Sequence, residues 1–183
     1  MKWQILLTVN KMNYEKINHP IEPLFNENSR FLILGTMPSP ASRDNNFYYS
    51  HPQNKFWQVL SSVFDVPIPF SVEDKKKLIL NNNLALWDVL ASCEIKGASD
   101  TSIKNPVAND FSELLKAAPI ERIFTTGTQA YKLYTKLCLP QTKIEAISLP
   151  STSPANQGRF PLNTLIEKYM VLRNLQNPLY NAE

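Results

Sequence analysis

Short apolar runs that alternate with amphipathic helical patterns restrict the fold of this 183-residue chain more than any other feature. Four runs have the length and apolar character of buried strands, at residues 30–34, 84–89, 122–125 and 145–149. Helical patterns separate these runs and follow the last one. Strands and helices in this order are typical of βαβ units, in which helices cover both faces of a parallel sheet. The sequence therefore predicts one α/β/α domain.

Local signals predict where the helices begin and end. Ser71 and Asp74 have the spacing of a capping box, Asn109 and Asp110 can cap a helix, and Pro140 predicts a helix end. The predicted helices cover residues 55–64, 71–80, 111–118, 128–138 and 161–176.

No repeat or linker divides the chain. We assign residues 19–183 to a single domain and residues 1–18 to an N-terminal extension of unassigned role. Met12 is a second candidate for the first residue of the native protein, which would place residues 1–11 upstream of it.

The composition excludes several classes of protein. Apolar residues make up 43% of the chain, which excludes intrinsic disorder, and no apolar run approaches the roughly 18 residues of a membrane span. Two cysteines and two histidines are too few for a disulfide framework or a recognised zinc site. We find no secretion signal. We therefore expect a cytoplasmic protein without metal or cofactor. Its formal charge of +3 permits nucleic-acid binding without requiring it.

Three loops should converge on one crevice, because ligands of parallel sheets bind beyond the carboxyl ends of the strands. The loops follow Leu34, Thr125 and Leu149. The first, residues 35–57, has three consecutive aromatic residues among hydroxyl, amide and basic side chains. This composition suits base stacking and phosphate binding, although composition alone favours an ordinary hydrophobic loop that covers the sheet. The third loop, residues 149–156, places three hydroxyl side chains between two prolines, and such groups can bind phosphate.

Four segments give the chain a resemblance to a known family: GTMPSPASRDNNFYYSHPQNKFW, ALWDVLASCEIKGASD, IFTTGTQA and LPSTSPAN. In this order they resemble the hypoxanthine-DNA glycosylase branch of the uracil-DNA glycosylase superfamily, from about His19 to the last helix. A more distant similarity is to the mismatch-specific uracil glycosylases. The resemblance implies a three-layer α/β/α fold with a central four-stranded parallel sheet.

The resemblance also implies a function. A member of this branch flips a deaminated base out of double-stranded DNA and hydrolyses its N-glycosidic bond, with hypoxanthine favoured and uracil second. We expect a monomeric, monofunctional hydrolase without strand-cleaving activity. Two alternatives remain at this point: a catalytically silent module that binds damaged DNA, and a nucleosidase or nucleotide-binding protein that acts on small molecules.

The catalytic assignment rests on Asn54. Other branches of the superfamily have an Asp or Asn two residues after the glycine of the first motif, where this chain has Met37. A thioether cannot orient or deprotonate a water molecule. In the hypoxanthine branch the Asn that matches Asn54 is implicated, so we expect Asn54 to hold the water or the leaving base. The alternative is that Asn54 only caps the following helix.

The resemblance implies a set of base-binding residues: Gly35, Thr36, Met37, Tyr49 and Thr126. Among these, Tyr49 matches an aromatic residue that stacks on the extruded base, and stacking of this kind contributes roughly 1–3 kcal/mol per base. Tyr48 can share that role or pack in the core. Thr126 stands where many relatives have an Asn, which leaves the preferred base open.

A second set should contact DNA: Ser39, Ser42, Lys55, Ser151, Thr152, Ser153, Pro154, Asn156 and Arg159. Within it, the segment that begins at Pro154 can wedge into the base stack. Arg43 and Lys104 are further candidates for phosphate contacts, although a solvated surface charge is favoured for each basic residue taken singly. Neither Asp44 nor Asp88 is predicted to act as a base, and structural roles are favoured for Asp88 and His51.

Overall fold

The computed structural model describes residues 13–176, which form two β-sheets, eight α-helices and two short 3-10 helices. The larger sheet has four parallel strands in the order β3-β2-β6-β7. These strands are β2 (Phe31–Gly35), β3 (Leu84–Asp88), β6 (Arg122–Thr126) and β7 (Ala146–Leu149). Each coincides with one of the apolar runs, which confirms the predicted central sheet.

Helices cover both faces of this sheet, as predicted. Along β2, Phe31 and Ile33 point to one face, and Leu32 and Leu34 point to the other, because side chains alternate along a strand. The first pair packs with α2, α3, α7 and α8, and the second pair packs with α4 and α5. The helices are α1 (Pro40–Asp44), α2 (Phe56–Phe64), α3 (Val72–Leu80), α4 (Ser112–Ala117), α5 (Thr128–Leu137), α6 (Leu139–Thr142), α7 (Leu162–Tyr169) and α8 (Val171–Asn174).

A smaller antiparallel sheet, which the sequence analysis did not predict, lies beside the second face. Its order is β1-β4-β5, with β1 (Glu15–Asn18), β4 (Leu90–Ile95) and β5 (Lys104–Ala108). Most of β5 is exposed, and it contains asparagine and proline, which are depleted in strands. Residues 15–18 of the predicted N-terminal extension therefore pack on the domain, whereas residues 1–12 lie outside the described part of the chain.

The ends of the helices differ from prediction at one place. The capping box of Ser71 and Asp74 is present at α3. Asn109, in contrast, does not cap α4: it is buried and its amide donates to the backbone oxygen of Asp88. The helix predicted to stop before Pro140 does so, since α5 ends at Leu137, and Pro140 lies in the first turn of α6, where it needs no backbone N–H.

Among the described residues, no helix has the length and apolar character of a membrane span. The same residues contain no group of three or more His, Cys, Asp or Glu side chains arranged to hold a metal ion.

Candidate active site

The carboxyl ends of the parallel strands meet at a pocket of about 560 Å³, within the usual range for ligand sites, roughly 300–1,000 Å³. The loops after β2 and β7 contribute to it, as predicted, and β6 contributes its last residue, Thr126. The connection between β4 and β5 supplies a further wall, which includes Ser99, Asp100 and Thr101. All the predicted site residues line the pocket except the basic ones, Lys55, Arg159, Arg43 and Lys104.

Asn54 lies at the entrance of α2 and joins two of these loops. Its Oδ1 accepts hydrogen bonds from the Phe56 backbone N–H at 3.0 Å and from the Thr152 hydroxyl at 2.8 Å. The Lys55 backbone N–H also donates to the Thr152 backbone oxygen, at 3.2 Å. The amide oxygen of Asn54 therefore caps α2, as the alternative interpretation predicts. The amide nitrogen donates to no residue in the described part of the chain, which leaves this donor available at the pocket wall.

Tyr49 is held in the left-handed backbone region, with φ of 51°. Its ring stacks on Phe56, with a centroid separation of 3.6 Å and an angle of 11° between the planes. Its hydroxyl lies 3.3 Å from the Thr126 hydroxyl. Burial raises the pKa of Tyr49, and the negative charge of Asp88 adds to that increase. The ring is thus a neutral, fixed surface on which a base can stack only from the side opposite Phe56.

Tyr48 packs in the core, which supports the second of its two predicted roles. It is 3% exposed, contacts the ring of Phe47 and donates its hydroxyl to the Glu22 backbone oxygen at 2.7 Å. Burial raises its pKa, so the phenol stays neutral. Tyr48 nevertheless reaches one wall of the pocket.

The hydroxyl groups of the first and third loops mainly hold the loops in shape. Ser39 accepts from the Ser42 backbone N–H at the start of α1, and Ser42 Oγ accepts from the Ser50 backbone N–H. Thr152 is buried and bonded to Asn54. The Ser151 hydroxyl accepts from the Ser153 backbone N–H at 3.2 Å. A serine hydroxyl that accepts one hydrogen bond can still donate its proton to a ligand. Ser151 and Ser153 are therefore better candidates for ligand contacts than Ser39, Ser42 and Thr152.

Gly127 allows the second and third loops to approach each other. Its φ is +98°, which other residues rarely adopt, and a β-carbon there would lie 3.1 Å from Ser151 Cβ. Its backbone N–H donates to Leu149 at 2.8 Å. Leu149 itself is buried in the core, so its side chain offers the pocket no polar group.

The four predicted phosphate-binding cations are distributed outside the pocket. Arg159 is exposed beside the Phe160 ring. Lys55 is partly exposed at the start of α2. Arg43 donates to the Pro38 backbone oxygen, and Lys104 lies over the Tyr14 ring at 4.2 Å.

His51, in contrast, lines the pocket. Its Nδ1 accepts a hydrogen bond from the Gln53 backbone N–H, which supports the predicted role of His51 in holding the loop in shape.

Two acidic residues, Asp88 and Asp100, line the pocket without being among the predicted site residues, and a structural role was predicted for Asp88. Asp88 Oδ2 lies 2.9 Å from His19 Nε2 in a buried pair. Burial raises the pKa of Asp100; a hydrogen bond from Thr36 opposes that rise, and the negative charge of Asp88 adds to it. Asp88 stands at the end of β3, which pairs with β2, so its position in the sequence already places it at the edge of the sheet where the pocket lies. No feature of the sequence predicts that Asp100 lies at the pocket. Asp44 is exposed and does not line it.

Comparison with known proteins identifies relatives across most of the chain. Residues 22–172 match the model of the uracil DNA glycosylase superfamily. A hypoxanthine DNA glycosylase of Methanosarcina acetivorans is 32% identical over 152 residues, which cover 82% of this chain and 95% of the relative. A protein of the same name from Methanosarcina barkeri is 35% identical over 98 residues, which cover 53% of this chain and 62% of the relative.

The fold comparison agrees. The solution NMR structure of a Methanosarcina acetivorans protein, provisionally described as a uracil DNA glycosylase, has a TM-score of 0.74 and 31% identity. The alignment covers 87% of this chain and 99% of that protein. The order of the strands, the position of the pocket and these similarities lead to one assignment. The chain belongs to the uracil DNA glycosylase superfamily.

Proposed function

We propose that this protein is a monofunctional DNA glycosylase that removes hypoxanthine from double-stranded DNA, with uracil as a second substrate. One observation carries the proposal: Tyr49, Asn54 and Thr126 line a single pocket at the carboxyl edge of the parallel sheet. An aromatic face, an amide donor and a hydroxyl together are the groups that an extruded base requires. The names of the two Methanosarcina relatives favour hypoxanthine.

Extrusion of a base has a cost that the pocket must offset. Unstacking and unpairing require a few kcal/mol, and less for a base that pairs poorly. Stacking on Tyr49 supplies roughly 1–3 kcal/mol. The rim residues Pro154–Asn156 form a short 3-10 turn next to the pocket mouth. This turn can fill the space that the base leaves in the duplex, as wedge residues do in proteins that kink DNA.

Bond cleavage then depends on groups that stabilise the separating charges. The C1′–N bond breaks through an oxocarbenium-like state, in which negative charge develops on the base. In this proposal the free amide nitrogen of Asn54 donates to the departing base. Its oxygen is fixed by Phe56 and Thr152, so the donor is oriented before the substrate arrives, which is the arrangement that makes such groups effective.

In this proposal Thr126 determines which base the pocket accepts. Its hydroxyl lies between the Tyr49 hydroxyl and the Leu34 backbone oxygen, at 3.3 and 3.4 Å. The oxo groups of both bases only accept, so the Thr126 hydroxyl turns its one proton from the Leu34 backbone oxygen to the 6-oxo group of hypoxanthine or the 4-oxo group of uracil. Both bases are therefore proposed as substrates.

The experiment is a cleavage assay with enzyme in excess over duplexes that carry one hypoxanthine, one uracil or no lesion. Abasic sites should form at hypoxanthine fastest, at uracil more slowly, and not in the undamaged duplex. Strand cleavage should appear only after alkali treatment, because a monofunctional enzyme leaves the backbone intact. Tight lesion-specific binding without abasic sites would instead identify a damage-binding module, and cleavage of free deoxyinosine alone would identify a nucleosidase.

A further inference from the structure

Asp88 lies on the floor of the pocket, where the edge strand β3 and its neighbour β2 end. It is the last residue of β3 and pairs with Gly35, the last residue of β2. It is 5% exposed and still contributes to the pocket lining. The mechanism above does not use it, although a buried carboxylate at this edge is an unusual group to find without a function.

Gly35 makes room for this carboxylate. A β-carbon built on Gly35 would overlap with Asp88 Oδ1 and would lie 3.6 Å from the Tyr49 hydroxyl. The backbone of Gly35 does not adopt a positive φ, so its conformation does not require glycine. The close approach of Oδ1 does. Oδ1 and the hydroxyl end of Tyr49, the residue proposed to stack on the base, therefore both lie close to Gly35.

His19 fixes the orientation of the carboxylate. Its Nδ1 accepts from the Ile21 backbone N–H at 3.2 Å, so the proton of a neutral ring lies on Nε2, which donates to Asp88 Oδ2 at 2.9 Å. Oδ2 is thereby occupied. Oδ1 accepts a hydrogen bond from no residue in the described part of the chain, and it is the oxygen that lies next to Gly35.

Of the two acidic residues in the pocket, Asp88 is better suited to accept a proton. Asp100 is on the connection between β4 and β5 and has Thr36 as a hydrogen-bond partner, and burial raises its pKa. Asp88 has the oriented, unoccupied oxygen.

We propose that Asp88 Oδ1 binds and deprotonates the attacking water, and so supplies the carboxylate that is absent at Met37. This inference rests on the proposed glycosylase function. The C1′–N9 bond of deoxyinosine breaks and its electron pair leaves with the base, which takes a proton from solvent. The water oxygen bonds to C1′, and its proton passes to Asp88 and from there to solvent. His19 acts as a positioning residue for Asp88.

The test measures single-turnover cleavage of a hypoxanthine duplex by Asp88→Asn, which keeps the shape of the side chain and an acceptor for His19. General-base catalysis contributes roughly 10²–10⁴-fold, so we expect at least a 100-fold slower rate, with the affinity for the lesion duplex within about threefold of the wild type. The matched control is Asp44→Asn, an exposed acidic residue outside the pocket, which should change the rate by less than about twofold.

A second variant keeps the proposal testable if Asp88→Asn does not fold. Gly35→Ala retains the carboxylate and His19 but forces Oδ1 away from its position, so it should lose a similar fraction of the rate. A folded Asp88→Asn or Gly35→Ala protein that keeps more than a third of the wild-type rate overturns the role of Asp88. An inactive wild-type protein would instead reject the proposed glycosylase function, so the two failures are distinguishable.

Discussion

The parallel sheet and the antiparallel sheet contribute to the pocket in different ways. Every residue of β2 is buried, and the strand ends at Gly35 on the pocket floor. The strands of the smaller sheet are mostly half-buried or exposed, and this sheet reaches the pocket through Ile95 at the end of β4 and through the segment that connects β4 to β5. The comparison suggests that the parallel sheet supplies the rigid base of the site, whereas the smaller sheet closes one side of it.

The largest expected contrast is in stability. Phe124 is fully buried in β6 and packs against Phe31, with ring centroids 5.7 Å apart. Phe124→Ala should lower the free energy of unfolding by about 3–5 kcal/mol, because it leaves a cavity in a well-packed core. Ile17→Ala, in the edge strand β1, should cost about 2 kcal/mol, since an edge strand can relax around the deletion.

Urea unfolding followed by circular dichroism measures both values. The slopes of the two transitions should match that of the wild type, so that the midpoints report stability alone. Equal costs for the two substitutions would contradict the different roles that we assign to the sheets.

The next contrast is in activity. Asn54→Ala removes the amide donor and should slow single-turnover removal of hypoxanthine by roughly 10²–10³-fold, the usual effect of deleting one oriented donor. Ser99→Ala, on the pocket wall that the smaller sheet supplies, should change the same rate by less than about threefold. An Asn54→Ala enzyme that keeps more than a tenth of the wild-type rate would show that Asn54 serves only as a cap.

A smaller effect is expected at Tyr49. Replacing it with alanine removes the stacking surface and should weaken binding to a hypoxanthine duplex by about 5- to 150-fold, which corresponds to roughly 1–3 kcal/mol. Tyr49→Phe keeps the ring and loses only the contact with Thr126, so it should bind within about threefold of the wild type. The measurement is fluorescence anisotropy with a labelled duplex. Equal losses in the two variants would assign the effect to the hydroxyl and not to the ring.

The sequence predicted the parallel sheet better than the smaller one, for a physical reason. Strands buried on both faces must be apolar throughout, so β2 appears directly as an apolar run. In β5, by contrast, Pro106 and exposed neighbours give no pattern that distinguishes a strand from a loop.

The same reason explains what was predicted of the pocket. The loops that follow the apolar runs could be placed at the sheet edge, and with them Tyr49, Asn54 and Thr126. Asp100 could not be placed at the pocket from the sequence, because it lies on the connection between β4 and β5, two strands that were not predicted. Likewise, the pair of His19 and Asp88 joins residues 69 positions apart. Separation of this kind leaves no local signal in the sequence.

The central claim is that the pocket receives a base that has left the duplex, and fluorescence can test it directly. A duplex with 2-aminopurine opposite or beside a single hypoxanthine should brighten when mixed with the Asn54→Ala protein, which retains Tyr49 but cleaves slowly. The same duplex with adenine in place of hypoxanthine should not brighten. Equal signals from the two duplexes, or no signal from either at saturating protein, would contradict the account.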